Sequence, residues 1–379
     1  MNTYSLYIHI PFCQKKCNYC DFTSYAGMEH FISPYIFAMK NEMKTYSQAL
    51  ERPWLKSIYL GGGTPSLLPE QSIEEILHSA SSNFNFKDDI EISAEVNPGT
   101  VNLAKLSAYR KAGMNRLSIG AQSFDDAQLR VLGRIHTAGQ TAYTVNAARQ
   151  AGFDNINLDL MFSLPDQDVI DWSNDLKKAA ALSPEHISTY NLVIEEGTPF
   201  HEKRKALPLP SNEEEAKMYE ETIDFLTSLG YEHYEISNFA KPTLKCRNNL
   251  TYWLNEEYIG IGAGATSYIK SSRYSNPTDI KDYISEWDFE NFIVLQERHA
   301  KNVQTQKQAF QETMFLGLRL TEGIDLAKLY EKFGSDALKP HENDIRDLLN
   351  EDLIFIDERR IKLTRRGLFL ANEVFKRFV

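Results

Sequence analysis

The sequence is poor in cysteine, has no long apolar run and carries no excess of basic residues. Its four cysteines among 379 residues are too few for the disulfide framework of a small secreted domain. No charge-free apolar run approaches the roughly 18 residues of a membrane span, and no cleavable leader opens the chain. A net charge of −11 argues against a basic surface for phosphate backbones. We therefore expect a cytoplasmic protein that neither crosses a membrane nor binds nucleic acid.

What the sequence does contain is a regular alternation of short apolar runs and longer helical patterns from residue 5 to about 195. This alternation indicates repeated βα units around a parallel sheet. A β/α barrel and a doubly wound sheet both place ligands at the carboxyl ends of such strands, so the alternation leaves both folds open. The predicted strands are Leu6–Ile10, Ser57–Leu60, Ile90–Val96, Arg116–Ile119, Ile156–Phe162 and His186–Val193.

The pattern divides the chain into three regions. Residues 1–230 form the predicted α/β core, and residues 231–300 form a mixed, aromatic-rich extension packed on it. Residues 301–379 are mostly helical and end in a hairpin of Leu353–Ile356 and Arg360–Leu363 before a last helix. This tail resembles a winged-helix module. Its charges are nearly balanced, so we interpret it as a packing or lid domain and not as a DNA reader.

Cys13, Cys17 and Cys20 form a C-x3-C-x2-C motif. Three thiolates on one tight loop suit three corners of a [4Fe-4S] cluster and leave its fourth iron without a protein ligand. That iron can chelate S-adenosylmethionine (SAM), so that an electron from the cluster cleaves a carbon–sulfur bond and generates an adenosyl radical. The alternative is a structural zinc site, which normally needs a second pair of ligands, whereas Cys246 stands alone.

The turn Gly61-Gly62-Gly63-Thr64-Pro65 follows the second predicted strand. Glycines let backbone groups approach a ligand closely, here the charged methionine end of SAM. A glycine-rich turn is by itself often only a turn, so the interpretation depends on its place beside the cysteine loop.

An ordered set of motifs resembles the oxygen-independent coproporphyrinogen III oxidase family of radical SAM proteins. The resemblance covers nearly the whole chain and implies a partial parallel (β/α)6 barrel with a small, mostly helical, winged-helix-like domain at its C-terminus. The motifs are Tyr7-Ile8-His9-Ile10-Pro11-Phe12-Cys13, Gly61 to Pro65, Glu95-Val96-Asn97-Pro98, Ile119-Gly120-Ala121-Gln122-Ser123-Phe124, Gly133-Arg134, Asn157-Leu158-Asp159-Leu160 and Ile259-Gly260-Ile261-Gly262-Ala263-Gly264-Ala265.

Within that family the chain is more similar to the HemW-type heme chaperones than to the oxidases. Phe22 stands where the oxidases carry a further cysteine, and Cys13 lies almost at the start of the chain, without the oxidases' N-terminal extension. The chaperone signature His-Asn-x-x-Tyr-Trp is matched at residues 248–253, except that Asn248 replaces the histidine ascribed to heme iron. An amide is a poor ligand for that iron, so heme binding stays open, with Cys246 or His233 as alternative ligands.

The resemblance also implies contacts with SAM. One group of residues matches positions that hold the reactive SAM: Tyr7, Tyr19, Gly62 and Glu95. A second group matches positions around another SAM molecule: Gln122, Arg134, Asp159 and Val193. Gly63 and Thr64 belong to the glycine-rich turn, and Thr266 matches a further SAM contact. For Asp159 the alternative is a salt bridge inside the barrel with Arg134 or Arg116.

Two functions follow from the resemblance. The first is a heme chaperone that binds heme or porphyrin and passes heme to an acceptor protein, with a reductant such as flavodoxin or ferredoxin for the cluster. The second is an oxygen-independent coproporphyrinogen III oxidase, which oxidatively decarboxylates propionates in porphyrin biosynthesis. Whether the chain is an enzyme stays open, and no catalytic residue is assigned.

Overall fold

The computed structural model describes residues 3–379, in which helices surround an eleven-stranded sheet, a separate three-stranded sheet and a two-stranded sheet. In chain order the strands are β1 (Thr3–Ile10), β2 (Phe12–Cys13), β3 (Tyr25–Ala26), β4 (Trp54–Gly62), β5 (Asn85–Val96), β6 (Arg116–Gln122), β7 (Ile156–Phe162), β8 (His186–Asn191), β9 (Glu232–Glu235), β10 (Asn238–Ala240), β11 (Tyr258–Ile261), β12 (Thr266–Ile269), β13 (Ser272–Ser275), β14 (Ile324–Asp325), β15 (Ile354–Ile356) and β16 (Arg360–Leu363).

The α-helices lie between these strands and at the C-terminus. They are α1 (Ile32–Ala49), α2 (Glu70–Asn83), α3 (Leu103–Lys111), α4 (Asp126–Val131), α5 (Ala138–Gln150), α6 (Val169–Ala181), α7 (Pro199–Glu202), α8 (Asn212–Ser228), α9 (Arg247–Trp253), α10 (Ile280–Glu286), α11 (Phe292–Lys301), α12 (Gln306–Gly317), α13 (Leu326–Phe333), α14 (Glu342–Asn350), α15 (Arg365–Phe369) and α16 (Ala371–Phe375). Within residues 3–379, none of them combines the length and apolar character that a bilayer span requires.

The six predicted strands are present as β1, β4, β5, β6, β7 and β8, and they pair in that order with every pair parallel. A doubly wound sheet would reverse its strand order at a switch point. No reversal occurs among these six strands, so the predicted partial (β/α)6 barrel is confirmed and the doubly wound alternative is not.

Helix α6 illustrates how the local sequence forms the crossovers. The Asp168 side chain accepts a hydrogen bond from Asp171 N, and Asp171 reaches back to Asp168 N, which completes a capping box. Trp172, Leu176 and Ala179 then recur at helical spacing and are buried against the sheet. The cap therefore fixes where the helix begins, and the apolar stripe fixes which face packs.

Side chains along the six strands alternate between two faces of different character. The outer face is apolar and lies under the helices, as Leu6 and Ile8 of β1 show by being fully buried. The inner face is polar, and its buried serines are Ser5, Ser57, Ser93, Ser118 and Ser188. Hydrogen bonds join neighbouring strands across this face, including Ser57 Oγ to Ser5 Oγ at 2.7 Å.

Residues 231–300 extend both edges of the same sheet. Strand β10 pairs antiparallel with β8 and carries β9, whereas β11 pairs parallel with β1 and carries β12 and β13. Helix α9 lies against the inner face, because Thr251 Oγ1 is 2.7 Å from Ser5 Oγ and Cys246 Sγ is 3.6 Å from Glu91 Oε1. This region therefore contributes to the interior of the barrel as well as to its edges.

The C-terminal part has its own hydrophobic cluster, which spans Phe310 to Phe378 and includes Leu348. Its three strands pair in the order β14-β16-β15, and β15 and β16 form the predicted hairpin. Helices α12 to α16 surround this small sheet. The arrangement agrees with the mostly helical, winged-helix-like fold expected from the sequence.

Candidate functional site

The cysteine loop lies between β2 and β3 and is held by backbone hydrogen bonds on three sides. Tyr25 N donates to Pro11 O at 2.7 Å, Asn18 N donates to Leu132 O at 3.0 Å, and Phe200 N donates to Asn18 O at 3.0 Å. None of the three cysteines of the loop is in a disulfide. Cys13, Cys17 and Cys20 all line one cavity of about 370 Å³, the main cavity, at the carboxyl ends of the parallel strands.

The structure brings most of the predicted SAM contacts to this main cavity. Besides the cysteines, its walls include Tyr19, Gly62, Gly63, Thr64, Glu95, Gln122, Arg134, Asp159 and Val193. These side chains come from different strand ends and loops, as expected when parallel strands deliver their carboxyl ends to one rim.

A second cavity of about 460 Å³ adjoins the main one and is more open to solvent. It shares Gly62, Glu95 and Phe22 with the main cavity. The two remaining predicted SAM contacts, Tyr7 and Thr266, lie here and not in the main cavity. Other walls of the second cavity are Tyr252, Tyr258, His9 and Gly264.

Glu95 stands at the boundary of the two cavities. Its carboxylate accepts hydrogen bonds from Tyr59 Oη and from Gly62 N, both at 3.1 Å. Burial, with a smaller contribution from the nearby Asp159 carboxylate, raises the pKa of Glu95 to about 7. Near neutral pH this group therefore holds or releases a proton, and as a carboxylate it accepts hydrogen bonds from ligand hydroxyls.

Asp159 does not form the salt bridge that was the alternative to a ligand role. Its carboxylate accepts hydrogen bonds from Ser118 Oγ at 3.0 Å and from Asn157 Nδ2 at 2.8 Å. Burial raises the pKa of Asp159, and hydrogen bonds and the more distant Arg116 oppose that rise. Asp159 thus faces the main cavity from a polar inner wall.

Arg134 is directed at the cysteine loop. Its Nη2 donates to Asn97 Oδ1 at 2.7 Å and to Gly120 O at 3.0 Å, and its Nη1 lies 3.7 Å from Cys17 Sγ. Its Nε donates to His136 Nδ1 at 3.3 Å. The guanidinium is therefore fixed beside a cysteine that points into the main cavity.

Gln122 and Val193 also line the main cavity. Gln122 has a left-handed backbone (φ 64°), which is uncommon outside glycine and is held by its surroundings. The buried Asp175 supports the segment that follows, because it accepts hydrogen bonds from Ser123 Oγ at 2.6 Å and Phe124 N at 2.9 Å. Val193 is 57% exposed and gives the mouth of the cavity an apolar edge.

The residues considered as heme-iron ligands do not face either cavity. Cys246 is fully buried against Glu91, and burial raises the pKa of its thiol to about 12. Asn248 is buried too, and His233 stacks on Phe239 with ring centroids 4.3 Å apart. Helix α9 contains residues 248–253, which match the chaperone signature, and its Tyr252 lines the second cavity.

Tyr59 and Asn97 are two of the main-cavity residues that were not among the predicted contacts. Tyr59 donates to Glu95, and Asn97 joins Arg134 to Thr64. The signal for Tyr59 was present in the sequence, because it lies two residues after Ser57 and so shares its face of β4. For Asn97, the signal was its position directly after the third strand.

The sequence of this chain is similar to those of known protein families and of individual proteins. Residues 7–179 match the model of the radical SAM superfamily, and residues 304–370 match the HemN C-terminal domain. The protein named heme chaperone HemW from Bacillus subtilis is 38% identical over 99% of both chains. That of Lactococcus lactis is 37% identical over 99% of this chain and 97% of its own length.

A solved structure agrees with these matches. The Escherichia coli coproporphyrinogen III oxidase HemN, described as a radical SAM enzyme, superposes with a TM-score of 0.85 at 26% identity. The superposition covers 100% of this chain and 90% of that one. With relatives of 37–38% identity over nearly the full length of the HemW proteins, this chain belongs to the HemW family of the radical SAM superfamily.

Proposed function

We propose that this chain is a heme chaperone that holds a [4Fe-4S] cluster through Cys13, Cys17 and Cys20, binds SAM beside it and passes heme to an acceptor protein. The observation that carries the proposal is that three free cysteines and the polar strand ends line one cavity, while a second, aromatic cavity opens next to it. The names of the relatives point the same way.

Membership of the radical SAM superfamily implies a [4Fe-4S] cluster and SAM, and the cysteine loop fits that cluster. Within residues 3–379, no three His, Cys, Asp or Glu side chains are arranged to hold a single metal ion. A cubane takes one thiolate on each of three irons, so its ligands need not meet at one point. When bound, the cluster and SAM supply one-electron chemistry.

SAM binding is proposed for the main cavity and its boundary with the second one. Its volume of about 370 Å³ lies in the range of cofactor sites. Glu95 is placed to accept hydrogen bonds from ribose hydroxyls, and Asp159 offers a second carboxylate on the same wall. Gly62 and Gly63 line the main cavity together with Cys13, and their backbone is proposed to contact the methionine end there.

Heme binding is proposed for the second cavity. Tyr7, Phe22, Tyr252 and Tyr258 offer ring surfaces there, and Phe22 is 61% exposed at the mouth shared with the main cavity. A flat apolar macrocycle is held well by such rings, each contact contributing about 0.5–1.5 kcal/mol beyond its area. Because Asn248 and Cys246 face neither cavity, the proposed affinity comes from these rings.

Hemin titration tests the proposal. The anaerobically reconstituted full chain is titrated with hemin and followed by the Soret band, alongside Tyr252→Ala and Phe22→Ala. Loss of one ring contact is expected to weaken binding about 3- to 10-fold. Cys246→Ser is the control, since that residue directly precedes α9 and lines neither cavity.

The outcomes separate the chaperone from the oxidase. A wild-type chain without a Soret shift would contradict heme binding, and equal affinities in all variants would contradict the second cavity as its site. Incubation with SAM, dithionite and coproporphyrinogen tests the alternative, which the similarity to HemN keeps under consideration. Formation of protoporphyrinogen would replace the chaperone proposal with the oxidase.

A further inference from the structure

A continuous series of hydrogen bonds joins two of the three cysteines along the wall of the main cavity. Thr64 Oγ1 lies 3.6 Å from Cys13 Sγ, and Asn97 Nδ2 donates to Thr64 Oγ1 at 3.0 Å. Asn97 Oδ1 accepts from Arg134 Nη2 at 2.7 Å, and Arg134 Nη1 lies 3.7 Å from Cys17 Sγ. The series therefore begins at one thiol and ends at another.

The direction of each hydrogen bond in the series is determined by chemistry. Arginine only donates, so the Asn97 atom that it contacts is the carbonyl oxygen, and the other amide atom is the NH₂ group. Thr64 Oγ1 accepts from that NH₂ group, so its own proton is free for another partner. A thiolate that holds a cluster carries no proton, so with Cys13 as a cluster ligand its sulfur accepts and Thr64 donates.

Arg134 is held so that its charge cannot turn away from Cys17. Besides Asn97, it donates to Gly120 O and to His136 Nδ1. His136 Nε2 lies 3.2 Å from Ala121 O, and burial together with Arg134 lowers the pKa of His136 to about 4. The imidazole therefore stays neutral and accepts from Arg134, which keeps the guanidinium in place.

We propose that Thr64 and Arg134, with Asn97 as their positioning residue, set the reduction potential of the cluster by donating hydrogen bonds to the sulfurs of Cys13 and Cys17. The reduced cluster carries more negative charge on its sulfurs, so donors and a nearby cation stabilise it and raise the potential. This inference rests on the proposed function, in which these cysteines hold the cluster. It gives Thr64 and Arg134 a role different from the SAM contact that the family resemblance implies.

The test is an anaerobic redox titration of the reconstituted full chain with dithionite, monitored by the electron paramagnetic resonance of the reduced cluster. Thr64→Val removes the donor at nearly constant shape and is expected to shift the midpoint potential to more negative values. Thr64→Ser keeps the hydroxyl and is expected to restore the wild-type potential. Thr144→Val, which removes a buried hydroxyl bonded to Gln140 O on α5, is the control and is expected to leave the potential unchanged.

Asn97→Asp tests the positioning role with the same shape. Aspartate accepts where asparagine donates, so the Thr64 proton turns to the carboxylate and leaves Cys13. The expected shift is again to more negative potential, at unchanged iron and sulfide content. This variant also keeps the inference testable if Thr64→Val fails to retain its cluster.

The results distinguish this inference from the proposed function. A full complement of iron and sulfide with the wild-type potential in Thr64→Val or in Asn97→Asp would overturn the inference alone. The same holds if Thr64→Ser shifts the potential as far as Thr64→Val. Absence of iron–sulfur absorbance in the wild-type chain would instead overturn the cluster assignment on which the inference rests.

Discussion

The buried carboxyl group of Glu42 should make the unfolding free energy depend measurably on pH. This carboxylate of α1 is fully buried and accepts hydrogen bonds from Gly262 N at 3.0 Å, Asn276 Nδ2 at 2.7 Å and Tyr283 Oη at 2.6 Å. It thereby joins α1 to the loop that leads into Thr266 of the second cavity. Burial raises its pKa from 4.5 to about 7, although the hydrogen bonds oppose that rise.

The sign and size of the effect follow from linkage. A carboxyl group with a raised pKa binds its proton more tightly in the folded chain than in the unfolded one. The contribution of Glu42 to the unfolding free energy is therefore fully present below pH 4.5 and is lost as the pH rises to about 7. A shift of this size corresponds to a loss on the order of 3 kcal/mol. Glu95, with a pKa of about 7, contributes in the same window.

Urea unfolding of Glu42→Gln, followed by tryptophan fluorescence between pH 5 and pH 8, measures this contribution. Glutamine keeps the size and one acceptor but cannot ionise, so the decline of the unfolding free energy with pH should shrink by about 2–3 kcal/mol relative to wild type. Glu75→Gln, at an exposed carboxylate of α2, is the control and should leave the decline unchanged. An undiminished decline in Glu42→Gln would refute the reasoning.

Three further predictions concern the site and the C-terminal cluster. Gly62→Ala should lower the unfolding free energy by about 1–3 kcal/mol and weaken SAM binding. The reason is that Gly62 has φ +115° and an added Cβ would lie 2.5 Å from the His9 ring. An unchanged melting temperature would contradict this. The affinity of the wild-type chain for SAM, measured by equilibrium dialysis, should rise as the pH passes about 7, because Glu95 ionises there. Glu95→Gln should bind SAM roughly 10-fold more weakly at pH 8, and its affinity should not rise with pH. Leu348→Ala, in the buried cluster of the C-terminal part, should lower the unfolding free energy by about 2–5 kcal/mol. If residues 301–379 are a separate domain, calorimetry should show one transition at a lower temperature and an unchanged barrel transition. A single transition that shifts as a whole would argue against that boundary.

The core of the fold was predictable because its strands are short, β-branched and separated by crossover helices. All six predicted strands exist, and the errors lie at their ends: for example, β5 begins at Asn85 and β8 stops at Asn191. Strand ends depend on pairing with neighbours, and a propensity pattern does not contain that information. Strand order was likewise settled only by the structure, since barrel and doubly wound sheets share the same alternation.

The candidate site was predictable wherever a polar residue follows a strand, because parallel strands bring their carboxyl ends together. The sequence could not show that Tyr7 and Thr266 belong to a second cavity, since that division depends on how loops pack. Nor could it show that Cys246 lies against Glu91, because the two are far apart in the chain. The role of Asn97 needed the positions of Thr64 and Arg134 on either side of it.

The serines on the inner face of the barrel have a consequence for how this protein can vary. Closed barrels fill their centre with branched aliphatic side chains. Here the small serine side chains leave space on the inner face, and α9 packs there, with Thr251 hydrogen bonded to Ser5 of β1. The helix that places Tyr252 at the second cavity thus also supports the strands from inside. Mutations that adapt the binding surface along this helix therefore perturb folding as well, so selection for a new ligand and selection for a stable chain act on the same few residues.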